Sequence, residues 1–129
     1  MHYASKHKFI MTLYELVGQE RLYAIVHSFY ESVYQSPIIS HLFEGDRHII
    51  EEKQKKFLTQ FLGGPKLYSD EHGHPIMRMR HLPFAIDKEA KDEWLALMRK
   101  AIYQHIEDEE LAETLYNSFP KVANHMRNA

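Results

Sequence analysis

Apolar residues recur at spacings of three and four along almost the whole chain, with no sustained two-residue alternation and no internal repeat, so the pattern predicts an all-α fold. Thr12 followed by Glu15 has the form of a capping box opening a short first helix, and Gly18 separates it from a longer second one. Leu22, Val26, Phe29, Tyr30 and Val33 share a face of that second helix. Ser36-Pro37 stops it and leads into a brief turn carrying Ile38, Ile39, Leu42 and Phe43. Asp46 is placed to cap the next helix, whose inward stripe is Ile50, Gln54, Phe57, Leu58 and Phe61, and Gly63-Gly64-Pro65 ends it. Residues 65–74 lack helical periodicity and the stretch from Pro75 to Leu82 is short, so an ordered loop around His81 is expected. Asp87 caps a long helix aligning Trp94, Met98, Ala101, Ile102 and His105. Asp108 caps a last one aligning Leu111, Leu115, Phe119, Val122 and Met126, with a kink expected at Pro120.

Composition narrows what such a fold can do. At 129 residues the chain has the length of one domain, taken as residues 1–129 with 1–11 an N-terminal extension. Hydrophobic residues make up 44% and charged residues 26%, which suits a folded chain and excludes a disordered one. Sixteen basic residues are outweighed by eighteen acidic ones, leaving no surplus positive charge for a nucleic-acid backbone. Without cysteine there is no disulfide, no thiolate nucleophile and no Cys-ligated metal, so histidine is left as the metal ligand. No apolar run approaches the roughly 20 residues that cross a bilayer, and a cytoplasmic protein is expected.

Three polar side chains fall on apolar helix faces: Tyr30, Gln54 and Trp94. Desolvating an unpaired donor costs roughly 1–3 kcal/mol, so each needs a partner or a purpose. Tyrosine and tryptophan are ordinary core residues when they reach a backbone carbonyl, whereas glutamine is seldom buried. Among ten histidines, His81 stands out because Pro75 and Pro83 bracket it and Arg78 and Arg80 flank it, a setting that offers a neutral imidazole to a metal while the arginines meet an anion. His72-Gly73-His74 is a competing metal site without a clear third ligand. Lys53 and Tyr68 are further anion partners, and a solvated basic face accounts for the arginines equally well.

The run FLTQFLGGPKLYSDEHGHPIMRMRHLPF, residues 57–84, followed by Asp92-Glu93-Trp94, resembles the truncated haemoglobins, and within them the second group. The resemblance extends from about Thr12 to Arg127. It implies a two-over-two helical sandwich enclosing haem b, with His81 as the proximal iron ligand and Tyr30, Gln54 and Trp94 on the opposite, distal face. It further implies Phe43, Phe57 and Met98 against the haem, and Arg80, Lys53 and Tyr68 at its propionates. Two positions depart from the group: Ile50, one turn before Gln54, is bulkier than usual, so a narrower or more apolar distal entrance is expected, and Pro120 interrupts the last helix.

A neutral histidine on one side leaves the sixth iron position open, and a dry aromatic cavity limits side reactions. Dioxygen bound there carries partial negative charge, which the three distal donors are suited to stabilise at about 1.5–3 kcal/mol apiece, without additivity. The resemblance therefore implies binding of dioxygen and other diatomic ligands, and slow release. Oxidation of nitric oxide to nitrate fits the same pocket, and with no flavin or nicotinamide fingerprint in the chain it calls for a separate electron-donating reductase. Peroxidase-like or sulfide-related redox chemistry at the haem is an alternative, for which His41, His48 and His105 are the acid–base candidates. A cofactor-free helical interaction or sensor module is the alternative from another class, and monomer and homodimer both stay open.

Overall fold

The computed structural model describes residues 11–72 and 87–126. Seven α-helices and one 3-10 turn lie in these residues, and no strand. They are α1 (Leu13–Val17), α2 (Gln19–Val33), the 3-10 turn (Ser40–Phe43), α3 (Arg47–Phe61), α4 (Leu67–His72), α5 (Lys88–His105), α6 (Glu109–Tyr116) and α7 (Phe119–Met126). α2 packs most extensively on α5; α3 lies against α2, and α7 against α5. This is the two-over-two arrangement expected from the sequence. None of these helices is long and apolar enough to cross a membrane.

The helix boundaries follow from local chemistry. The Thr12 hydroxyl accepts from the Glu15 N–H at 3.1 Å, while the Glu15 carboxylate accepts from the Thr12 N–H at 2.8 Å, completing the capping box of α1. Gly18, at φ 85°, ends α1 and begins α2. Asp46, Asp87 and Asp108 each accept backbone N–H bonds in the first turns of α3, α5 and α6. Aspartate suits these positions because it satisfies orphan donors and opposes the positive end of the helix dipole.

The core lies between the two helical layers. Leu22, Ile25, Val26, Phe29, Tyr30 and Val33 of α2 meet Trp94, Met98, Ala101 and Ile102 of α5, all essentially removed from solvent. A fully buried aliphatic or aromatic side chain of this kind contributes about 1.5–3 kcal/mol before entropy is charged.

Three sequence expectations change. Residues 67–72 form α4 where a loop was expected. A six-residue helix is less than two turns, too short for its periodicity to be legible, and its anchor is remote: the Gln60 side-chain oxygen accepts the Ser69 N–H at 2.8 Å, and the Gln60 amide donates to the Ser69 hydroxyl at 2.6 Å. The expected single last helix is two. α6 ends at Asn117, and the Ser118 hydroxyl donates to the Leu115 carbonyl at 2.7 Å. Pro120 therefore falls in the first turn of α7, where a missing N–H costs nothing, and the expected kink does not arise. Phe61, expected inward, is 39% exposed, although its ring stacks on Phe57 and tilts against Phe119.

Gly63-Gly64 does more than end α3. Gly63 adopts φ 96°, and a Cβ there would lie 2.7 Å from the Thr12 side chain; at Gly64 a Cβ would meet the Tyr14 ring at 2.8 Å. The pair lets the end of α3 close against α1, where the Tyr14 N–H donates to the Leu62 carbonyl at 2.9 Å. Gly64→Ala is expected to destabilise the fold by about 1–3 kcal/mol through overpacking against an anchored ring. Equilibrium urea unfolding checks this.

Candidate functional site

The α2–α5 contact brings Tyr30 and Trp94 against the same Phe29 ring. Tyr30 is 3% exposed, and three rings hold it: Phe29 at 5.0 Å and Phe43 at 5.6 Å, both edge-on, and Tyr34 at 5.8 Å with a 31° tilt. Trp94, also 3% exposed, meets the same Phe29 ring at 5.3 Å in a T-shaped contact. One phenylalanine thus spaces two donors that come from different helices. Such contacts add about 0.5–1.5 kcal/mol beyond area burial and fix ring orientation. Gln54 stands half-buried on α3, the helix packed beside α2.

The hydrogen-bonding state of these donors separates a core role from a binding role. Among the described residues, no group pairs with the Tyr30 hydroxyl, the Gln54 amide or the Trp94 indole N–H. None of the three is a sealed orphan either; among the described residues that description applies to the Tyr34 hydroxyl alone. Core tyrosines and tryptophans usually find a carbonyl. Among the described residues these three donors, on adjoining helices, are left free for another acceptor.

Burial also fixes the protonation of Tyr30. Desolvation, followed by the phenol of Tyr34 and the carboxylate of Glu51, pushes its pKa far above the ordinary phenol value, so it remains a donor at any physiological pH. Glu51 does not face the site unpaired: it takes Lys55 at 3.2 Å and the His27 ring at 3.2 Å.

Next to the donors runs an aromatic wall. Phe57 stacks on Phe61 at 5.8 Å and meets the Tyr68 ring at 5.5 Å, and Phe119 bridges Phe61 to Trp94 at 6.2 and 5.8 Å. Phe61 and Leu67 remain 39% and 38% exposed along it. A partly uncovered aromatic face beside uncommitted donors fits a flat apolar macrocycle carrying a polar diatomic ligand. Lys53 and Tyr68 are half-buried on α3 and α4, and Met98 is fully buried one turn beyond Trp94.

Other expectations sort differently. His81, Arg78 and Arg80 lie outside the described residues, as do Gly73 and His74 of the competing pair. No group of three His, Asp or Glu side chains able to hold a metal exists among the described residues. His41 and His48 are exposed, and His105 is taken up by the Ser28 hydroxyl at 2.7 Å. The sequence reading missed Tyr34 and Arg47, whose guanidinium lies 4.1 Å over the Tyr34 ring. The spacing of Tyr34 four residues after Tyr30 was the available signal.

Comparisons with known proteins agree with this geometry. A family model described as bacterial-like globin matches residues 12–128. The chain is 44% identical over 115 residues to the group 2 truncated hemoglobin YjbI of Bacillus subtilis, spanning 89% of this chain and 87% of that one. It superposes on the group II truncated hemoglobin from Bacillus anthracis with a TM-score of 0.85 and 38% identity, over 93% of each chain. A truncated oxygen-avid haemoglobin from Bacillus subtilis gives 0.84 and 43%, over 92% of this chain and all of the other.

Because the folded pKa of Tyr30 is raised, its contribution to stability is constant below the unfolded phenol value of 10.0 and declines as the pH climbs above it. The unfolded chain releases that proton while the folded chain retains it. Urea unfolding across alkaline pH is expected to show a shallower loss of stability for Tyr30→Phe than for the wild type.

Proposed function

We propose that this chain, which belongs to the bacterial-like globin family as a group II truncated haemoglobin, uses its haem pocket to hold dioxygen tightly and to turn it against nitric oxide. Haem is the cofactor of this family. The observation that carries the reading is the set of three donors without a partner among the described residues, Tyr30, Gln54 and Trp94, with an aromatic wall beside Trp94.

The haem supplies an iron centre that coordinates a diatomic ligand and exchanges one electron. We assign the proximal iron contact to His81 and the propionate contacts to Arg80, Lys53 and Tyr68. Phe43, Phe57 and Met98 supply apolar surface against the macrocycle. The Tyr30 hydroxyl, the Gln54 amide and the Trp94 indole would donate to the bound ligand, where negative charge would collect. A hydrogen bond to a charged acceptor contributes about 1.5–3 kcal/mol, and a ring-locked donor loses little entropy in forming it. The similar Bacillus subtilis protein is itself described as oxygen-avid, which agrees with such a donor set.

Conversion of nitric oxide and dioxygen to nitrate would take one electron from the cofactor's iron, so each cycle would draw one electron from outside, and a separate reductase is the partner this reading requires. Donors that hold dioxygen without protonating it suit this reaction, since none of them is an acid at neutral pH. They suit peroxide cleavage less well, because that chemistry needs a proton carrier, whereas His41 and His48 are exposed and His105 is bonded to Ser28.

Two measurements test the proposal. Tyr30→Phe is expected to accelerate dioxygen release roughly 10- to 100-fold in stopped flow, as loss of one charge-assisted bond requires. Wild-type release from this variant would remove Tyr30 from the ligand's surroundings. Rapid mixing of the oxygenated protein with nitric oxide is expected to give ferric protein and nitrate in equal amounts. Absence of stoichiometric nitrate would leave dioxygen binding standing and end the claim of nitric oxide oxidation.

A further inference from the structure

Tyr34 has a hydroxyl that is buried and unpartnered, an arrangement that lowers stability. Burial is the main cause of the upward shift of its pKa; Arg47 opposes the shift, and Glu51 and Asp46 add to it. The hydroxyl makes no bond that explains the residue, so attention passes to the ring. That ring packs against the core, 5.8 Å from the Tyr30 ring, with the Arg47 guanidinium at 4.1 Å over its face.

The placement of these partners matters. Tyr34 caps the end of α2, its N–H donating to the Tyr30 carbonyl at 3.0 Å. Arg47 is the first residue of α3, and Gln54 follows it by seven positions, two turns of helix that return to the same face. The cation–π stack therefore ties the end of the helix carrying Tyr30 to the start of the helix carrying Gln54. Of the rings around Tyr30, Phe29 is fixed by complete burial, whereas Phe43 and Tyr34 are only partly buried. Tyr34, packed against the core on one side, gains a further restraint from Arg47.

We propose that Tyr34 and Arg47 form a positioning pair that locks the Tyr30 ring and registers α3 against α2, and so sets the rate of dioxygen release from a distance. This rests on the reading of Tyr30 as a ligand donor. The pair touches no ligand; it acts by removing alternative orientations of Tyr30. An arginine over a tyrosine face is a weak, surface-side contact, so its loss alters the population of pocket conformers without unfolding the chain.

The test uses haem-loaded full-length protein, with dioxygen release by stopped flow, the C–O stretching band of the carbon monoxide complex and thermal unfolding as readouts. Arg47→Gln and Tyr34→Leu are each expected to release dioxygen about two- to fivefold faster and to broaden or split the stretching band, the mark of more than one distal arrangement. The double variant should be no faster than the worse single one, since both remove one interaction. Tyr34→Phe keeps the ring and discards the orphan hydroxyl, so it should restore wild-type release and melt no lower than the wild type. Wild-type release and a single sharp band in Arg47→Gln would overturn the proposal, whatever its melting temperature. A Tyr34→Phe variant as fast as Tyr34→Leu would overturn it too, by assigning the effect to the hydroxyl. If Tyr30→Phe accelerates release and Arg47→Gln does not, only the positioning pair fails; if Tyr30→Phe has no effect, the donor reading beneath it fails.

Discussion

The contact of Phe29 with Tyr30 and Trp94 is the constraint on which the rest of the structure depends. Phe29 is completely buried where α2 crosses α5, and both neighbouring rings meet it edge-on. The same burial that joins the two helical layers also sets the spacing of the two polar rings. Fold stability and the geometry of the candidate site are thus a single packing problem. Moving α5 along α2 by one turn would separate Trp94 from Tyr30 and dissolve the donor set.

Around that junction the chain invests in exact helix ends. Four caps begin helices through side-chain oxygens, and the Gly63-Gly64 pair lets α3 finish hard against α1. Each device has a small energy of about 1 kcal/mol, yet together they fix where α3 starts and stops, and hence where Gln54 and Phe57 stand relative to Tyr30. Pro120 belongs to the same class: it marks the beginning of α7, and Phe119 beside it carries the aromatic wall to Trp94.

Much of this was legible in the sequence because it is encoded locally. The capping box at Thr12, the aspartate caps and the apolar faces of α2 and α5 are short-range signals, and the structure carries them as expected. Tyr30 and Trp94 announced themselves as polar groups on buried faces, and they are buried. What escaped was encoded at a distance. The Gln60 bond that anchors α4 spans nine residues, and the exposure of Phe61 depends on what lies opposite it rather than on its helical phase. The break after Tyr116 rests on Ser118 turning back to Leu115, which makes Pro120 a start signal instead of a kink. Arg47 over Tyr34 joins two elements, and no window along the chain contains both as neighbours.

The central proposal is that Tyr30, Gln54 and Trp94, which have no partner among the described residues, donate to a small ligand. A crystal structure of the haem-loaded ferric protein with cyanide bound tests it most directly. The account predicts the Tyr30 hydroxyl, with at least one of the Gln54 amide and the Trp94 indole N–H, within hydrogen-bonding distance of the cyanide nitrogen. Finding all three turned onto protein carbonyls or solvent, with the cyanide unbonded, would contradict it.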